Sequence, residues 1–545
     1  MLQEAILNKI KGYLVDYEEF SKLDFSKLIL TIPKNSNHGD FSTNFALVVS
    51  SELKTDSKEL AEKIANILLD KNDSTFNSIN VIAPGFINFN ISLETYYYYL
   101  KEINLSGKNY GSTEKRNEKV LIEFVSANPT GYLHLGHLRN AAVGDSVARI
   151  LSFSGYDVTK EYYLNDYGTQ INLLGESLQA RVFNLLEIKQ ELPEGGYKGE
   201  YLIDLAKILL SEKDEKFLLN ADIEFFSDFA KEYLIEEIIR DLETLNISFD
   251  SWFSEKKDIH ESKYLEETKK ILNDHNSLYL NDNAEWIKTS EFGDDKDWVV
   301  KKSDGTSTYF MNDIAYHQRK YNRDYDLLIN VWGADHHSHI SRLRAAMDIL
   351  SNDSTRLVFI LIQFVRLIKD NKDISMSKRS GTYTTIKDLL SEFDKDLVRF
   401  LMISRSSDSH FDFDLDKCRS DSEENPVFYI QYANARINSI MEKSQLKKID
   451  FDNLHLLSEE KEIILIKKLL HFPEVVKEAA TNYAPHKIAF YLQDLSSEFH
   501  HYYKSTKVLV EDKETLNSRL ALLSLIKIVL VNGLNLLGVS SPDKM

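Results

Sequence analysis

The chain has 545 residues, 43% of them apolar and 28% charged, a globular composition that excludes a collagen-like or wholly disordered protein. Its 66 Lys and Arg against 85 Asp and Glu leave a formal charge of −19, which argues against a protein that coats DNA while allowing a local basic groove. The one cysteine, Cys418, can form no internal disulfide and no cysteine-rich zinc site, so the expected compartment is a reducing cytoplasm.

Residues 1–110 read as a small α+β module. The opening helix mixes charges into an amphipathic pattern and has none of the parts of a signal peptide. A turn-rich run over residues 33–40 leads to one predicted helix through residues 46–69. Strands are predicted at 79–83 and 86–91, separated by Pro84-Gly85. Residues 106–119 are polar and contain Gly107 and Gly111, as a linker does.

A second unit is expected over residues 118–390. A buried strand at 120–125, a loop at 126–137, a helix at 138–153 stopped by Gly155 and a strand at 157–164 make a βαβ unit of a parallel nucleotide-binding sheet. Residues 170–245 are helical and read as an insertion, with strand-like sequence resuming near Trp298 and at 326–332. From 396 to 545 the pattern is helical almost throughout, an all-α bundle. Its apolar stretch at 520–539 is broken by Lys527, Asn532, Gly533 and Asn535, so a buried helix is expected and no membrane partner. The predicted fold class is therefore α/β: a Rossmann-like parallel-sheet catalytic domain with a small N-terminal α+β domain and a C-terminal helical bundle.

Two segments carry chemistry. In the loop, His134 and His137 flank Leu135-Gly136 where a strand gives way to a helix N-terminus, which offers free backbone N–H groups and partial positive charge. Gly136 admits a flat ligand close to the backbone, and the histidines can donate hydrogen bonds to phosphate oxygens. The bland alternative is a pair of ordinary loop histidines; zinc fits poorly without a completing carboxylate or cysteine. Near residue 375, Ile374-Ser375-Met376-Ser377-Lys378-Arg379-Ser380-Gly381 combines small, polar and basic residues, and Lys378 is suited to neutralising phosphates that shift during a reaction. A solvated basic loop is the alternative there.

Together the two segments resemble a class I aminoacyl-tRNA synthetase, with a HIGH-like loop and a distant MSKRSG loop. Segments at 38–46 (HGDFSTNFA), 83–89 (APGFINF), 126–140, 292–298 (FGDDKDW), 308–317 (TYFMNDIAYH), 331–337 (VWGADHH), 425–436 (NPVFYIQYANAR) and 537–545 (LGVSSPDKM) narrow the resemblance to arginyl-tRNA synthetases of the bacterial type. One position departs from the family: Ser375 stands where the KMSKS consensus has its first lysine, while Lys378 is kept.

The resemblance implies activation of L-arginine with Mg-ATP to arginyl adenylate, then transfer to the terminal ribose of tRNA(Arg), with tRNA bound before activation. His134, His137 and Lys378 would be catalytic; His134, Gly136, His137, Gly333, Asp335, His336, Met376 and Lys378 would bind ATP. Asn128 would hold the α-amino end of arginine; Tyr309, Asp313 and Glu255 would hold its side chain. Without the resemblance Asp313 reads first as a helix cap, and His336, His337 and His339 as a rival metal site, which strand alternation disfavours. For tRNA the resemblance points to Phe86 and Asn88 at the elbow, and to Tyr429, Tyr432, Tyr503 and Met545 at the anticodon, although Phe86 and the tyrosines also suit core packing. No dedicated protein metal site and no DNA partner are expected, and a monomer is.

The enzyme-class rivals are another class I synthetase or a nucleotidyltransferase with the same histidine loop; the binding-class rival is a silent tRNA-binding relative. Chain length argues against a small nucleotidyltransferase, and intact His134, Gly136, His137 and Lys378 argue against decay.

Overall fold

The computed structural model describes residues 2–369, 372–373, 385–414, 425–446 and 448–545. Met376, Lys378 and Cys418 lie outside them. Helices α1 (Leu2–Val15), α2 (Phe45–Leu53), α3 (Ser57–Asp70) and α4 (Leu93–Ser106) pack around an antiparallel sheet of β1 (Phe41–Thr43), β2 (Phe76–Ile82) and β3 (Phe86–Ile91), with β3 central. The single helix expected at 46–69 is two. Lys54 takes a left-handed conformation (φ 53°) that ends α2, and the Asp56 carboxylate accepts from the Lys58 and Glu59 amides to start α3.

The central sheet has the order β11-β10-β4-β5-β6, all parallel: β4 (Lys119–Glu123), β5 (Asp157–Leu164), β6 (Ser251–Ser254), β10 (Leu327–Gly333) and β11 (Leu357–Ile362). Helix α5 (Leu135–Phe153) links β4 to β5. Its Gly144 lies so close to Phe124 that a Cβ there would come within 2.4 Å of the ring, so this glycine sets the helix-to-sheet spacing. The chain runs from β4 out to β6, then returns to place β10 on the other side of β4. The crevice at the carboxyl ends of β4 and β10 is thus the switch point where ligands bind in such sheets.

Helices α6 (Thr169–Leu185), α7 (Tyr201–Glu212), α8 (Glu215–Leu218) and α9 (Ile223–Thr244) share their own buried cluster between β5 and β6. The parallel sheet therefore resumes at Ser251, not near Trp298. Trp298 belongs instead to a separate antiparallel sheet, β7 (Leu278–Asn281), β8 (Ala284–Ile287) and β9 (Trp298–Lys301). Around it lie α10 (Tyr264–Asp274), α11 (Tyr309–Tyr321) and α12 (His339–Ile349).

Strands β12 (Val365–Lys369) and β13 (Lys372–Asp373) come next, then α13 (Ile386–Glu392) and α14 (Lys395–Ile403). Among the described residues the helical expectation from residue 396 is interrupted by β14 (Phe411–Asp414), which pairs in parallel with β12. The bundle proper is α15 (Pro426–Ser444), α16 (Glu460–Thr481), α17 (His486–Ser505) and α18 (Lys513–Leu536). Helix α18 is long and apolar enough to cross a membrane, but 67% of its apolar window is buried inside the protein. One apolar core runs from Leu2 through α5 to Val539. Buried Arg399 ties it together, pairing with Asp145 of α5 and donating to the carbonyls of Leu245 and Leu537.

Candidate active site

The loop after β4 holds backbone that most side chains avoid. Val125 has φ 67° and Ser126 φ 42°, and a β-branched residue in that region costs about 1–3 kcal/mol and persists only where its surroundings impose it. Three groups impose it here. Asn140 of α5 accepts from the Val125 amide (2.6 Å) and donates to the Val331 carbonyl (2.8 Å). Ser126 Oγ donates to Glu123 (2.8 Å) and accepts from the Tyr163 amide (3.2 Å). The Tyr162 hydroxyl meets both the N–H and the C=O of Ala127 (3.0 and 2.9 Å).

Helix α5 begins on a reciprocal cap made of the two histidines. His134 Nδ1 accepts from the Gly136 amide (3.1 Å), and His137 Nδ1 accepts from the His134 amide (3.2 Å). The rings stack with centroids 3.8 Å apart. With Nδ1 accepting in both, the tautomer this cap selects carries its proton on Nε2. Gly136 is tightly packed: a Cβ there would sit 3.1 Å from His134 Cε1, so the ring would have to shift to admit one.

These residues line a cleft of about 480 Å³ at the switch point. Asn128, His134, Gly136 and His137 come from the β4 side, Gly333, Asp335 and His336 from the end of β10, and Gln363 and Phe364 from the end of β11. Asn128 donates to Gln170 of α6 (2.8 Å). Past Gly333 the chain turns as a short 3-10 helix, so strand alternation does not govern His336 and His337; the rings of His336 and His339 lie 5.2 Å apart, edge to face. Residue 385 closes one side: Thr385 bridges His134, and the Ile386 amide donates to the Leu133 carbonyl (3.0 Å). Thr385 and Ile386 are therefore fastened to the histidine loop.

Tyr309, Asp313 and Glu255 line none of that cleft. They gather where α11 starts and β6 ends. Thr308 caps α11, so Asp313 sits inside the helix, one turn from Tyr309. Tyr309 is 62% exposed. Asp313 is pushed up to about 7 by burial and by the neighbouring carboxylates Glu255 and Glu123, against the opposing pull of Arg342 and Lys320. Glu255 is 3% exposed and already accepts from Tyr163 Oη (2.7 Å) and Asn312 Nδ2 (2.6 Å), with His260 Nε2 at 3.3 Å.

A buried ion pair joins the two groups. Lys320, on the same helix as Asp313, donates to Glu123 (2.5 Å) and to Asn330 (2.6 Å), and Glu123 in turn holds Ser126. His317 donates Nδ1–H to the Asp313 carbonyl (2.8 Å), and burial beside Lys320 keeps its ring neutral, lowered to about 3. Sequence reasoning missed Glu123, Asn140, Tyr162, Gln170, Asn312 and Lys320. Polar residues inside otherwise apolar runs were the available signal for Glu123 and Asn140.

The tRNA candidates divide. Phe86 is 39% exposed at the start of β3. Asn88 is a correction: it is 3% exposed, on the central strand between Ser42 and Asn80, so its side chain is not presented to a base. In the bundle, Tyr432 stacks on Phe428 (5.9 Å between centroids), Arg436 lies over the rings of Tyr432 (4.3 Å) and Tyr503 (4.8 Å), and Tyr429 packs on His500 (4.4 Å). Met545 ends the chain 53% exposed. Core packing alone does not account for the three tyrosines, since each keeps part of its surface open.

Comparison with known proteins agrees in every part of the chain. The model of the class I (R) tRNA synthetase catalytic domain matches residues 99–410, which with the parallel sheet and the histidine-capped cleft defines a class I aminoacyl-tRNA synthetase. The arginyl tRNA synthetase N-terminal domain model matches residues 1–91, and the DALR anticodon binding domain model matches residues 430–545. An arginine–tRNA ligase of Listeria monocytogenes is 42% identical and one of Bacillus subtilis 40% identical, each alignment covering 100% of this chain and 99% of the relative. The Thermus thermophilus arginyl-tRNA synthetase structure shares the fold, with a TM-score of 0.79 at 21% identity over 100% of both chains. The chain belongs to the arginyl-tRNA synthetase family.

Proposed function

We propose that the chain ligates L-arginine to tRNA(Arg) in two steps. The arginine carboxylate attacks the α-phosphate of ATP and pyrophosphate leaves; a 3′-terminal ribose hydroxyl of the tRNA then attacks the adenylate carbonyl and AMP leaves. No protein nucleophile is needed, because the work is positioning and charge stabilisation. The observation that carries the reading is the histidine pair: a helix start that fixes two Nε2–H donors on a cleft at the switch point.

In this reading His134 and His137 donate to the phosphates as charge builds on them, and Lys378 neutralises the departing pyrophosphate. Gly136, Gly333, Asp335 and His336 accommodate the nucleoside, with Met376 beside it. Asp335 is the carboxylate in the cleft lining among the described residues, so Mg²⁺ enters as the counter-ion of ATP. Asn128 takes the α-amino end. Asp313 receives the guanidinium with Tyr309 against it, and Glu255, whose oxygens already have donors, contributes charge and shapes the chamber. Residues 1–110 take the tRNA elbow with Phe86, and residues 396–545 take the anticodon with Tyr429, Tyr432, Tyr503 and Met545. Residues 118–390 hold the chemistry. The enzyme acts as a cytoplasmic monomer.

The test is charging of total tRNA with each of the twenty amino acids in the presence of Mg-ATP. Arginine alone is the expected substrate. Charging with another amino acid would keep the mechanism and refute the acidic-chamber assignments; tRNA binding with no charging would leave a silent binder.

A further inference from the structure

A second cleft, of about 570 Å³, opens far from the histidine pair. Its walls are Ala148, Arg149, Ser152 and Phe153 of α5, Val158 and Lys160 of β5, Asn532, Asn535 and Leu536 of α18, and Lys108 between α4 and β4. At 1.5 Å per residue, Arg149 lies roughly 20 Å along α5 from its histidine end.

The charge of this lining is unlike that of the chain. Acidic residues outnumber basic ones 85 to 66 overall, yet among the described residues Lys108, Arg149 and Lys160 line the cleft and no carboxylate does. The nearest buried acid is Asp145, and it is over-subscribed. Arg399 pairs with it from the core side, Arg149 Nε reaches it at 2.6 Å and Lys160 Nζ at 3.5 Å. One negative charge is thus shared by three positive ones. Asp250 meets Lys160 through the backbone amide (2.8 Å), which leaves the ammonium to Asp145 and a weak contact with Ser248 (3.3 Å). Arg149 uses Nε on Asp145 and Nη2 on the Asn246 carbonyl, and Nη1 remains to donate. Lys108 makes no ion pair among the described residues and is exposed. Two amide side chains complete the wall; Asn532 anchors the linker by donating to the carbonyls of Gly107 and Tyr110, and Asn535 is exposed.

Positive charge in excess of the single buried acid it shares, in a concave site with hydrogen-bond donors, selects an anion. We propose that this cleft binds a phosphate group, on the side of the catalytic sheet away from the ATP cleft. Two sources offer that chemistry: the backbone of bound tRNA, an arm that rests on the proposed function, and a free phosphate compound. The cleft is open at the surface and built from three segments that meet between the terminal regions, which suits a backbone phosphate.

The test uses the full chain with Lys108→Glu and, separately, Asn535→Asp, both at exposed positions outside the proposed catalytic machinery. Affinity for tRNA is measured across a salt series, and thermal midpoints are measured with inorganic phosphate. If the source is tRNA, each variant weakens tRNA binding three- to tenfold at low salt, and Lys108→Glu lowers the salt slope by about 1. The Michaelis constants for arginine and ATP stay unchanged. If the source is a free phosphate compound, tRNA affinity is unchanged, phosphate raises the wild-type midpoint, and both variants lose the rise. The inference is overturned if the variants match the wild type in both measurements. Because the phosphate titration needs no charging activity, failure of the cleft and failure of the ligase reading give different results.

Discussion

The nucleotide cleft and the acidic chamber lie side by side and are built in opposite ways. In the cleft the awkward groups are held by partners: Val125 by Asn140, Ser126 by Glu123, Ala127 by Tyr162, the His137 ring by the His134 amide and the His134 ring by the Gly136 amide. In the proposed mechanism these rings are the phosphate donors, and their orientation is set by the protein's own backbone. The chamber instead stores an incomplete arrangement, in which Asp313 beside Glu255 and Glu123 is held near neutral until a cation enters. If the proposed function holds, the difference teaches that a polar transition state is met by prearranged donors, whereas a cationic substrate is met by a carboxyl whose charge the protein alone disfavours.

That contrast can be broken at graded points. Lys320 joins the two regions, and Lys320→Met would leave Glu123 buried and unpaired; a loss of about 3–5 kcal/mol in denaturant unfolding is expected. His137→Asn keeps an acceptor near Nδ1 for the helix cap and removes the Nε2–H donor. Arginine activation, followed by pyrophosphate exchange in the presence of tRNA, should fall by about 10²–10³ with the arginine Michaelis constant little changed. An equal rise in that constant would mean the histidines serve binding alone. Asp313→Asn should raise the Michaelis constant for arginine by about 10–100-fold and leave that for ATP nearly unchanged.

The same residue gives a stability effect of defined sign. Because Asp313 is raised from 3.8 to about 7 in the folded chain, folding without ligand favours its protonated form. The wild type therefore loses stability as pH rises from 3.8 to about 7. Asp313→Asn should unfold at a higher temperature than the wild type above neutral pH and at nearly the same temperature near pH 4.

Much of this was legible in the sequence, for identifiable reasons. The strand at 157–164 is read to the residue because Gly155, at φ 88°, bounds it and its apolar end is continuous. The histidine loop is legible because its residues are adjacent in sequence. The break at Lys54 is not, since the apolar spacing continues across it. Nor is β6, four residues with two serines, which pairs with β5 only because α6 to α9 return the chain there. Asn88 misleads because alternation puts it on the same face as exposed Phe86, while the central place of β3 covers it. The chamber's supports come from Tyr163, Asn312 and Lys320, scattered over the sequence and united only by folding.

The most direct measurement is arginine affinity by calorimetry from pH 5.5 to 8.5, on the wild type and Asp313→Asn, with tRNA present and ATP omitted. With Asp313 titrating at about 7, wild-type affinity should fall about tenfold per pH unit below that point, with proton release on binding, while the variant stays flat. A wild type as flat as the variant would contradict the account of the chamber as a charge that the substrate completes.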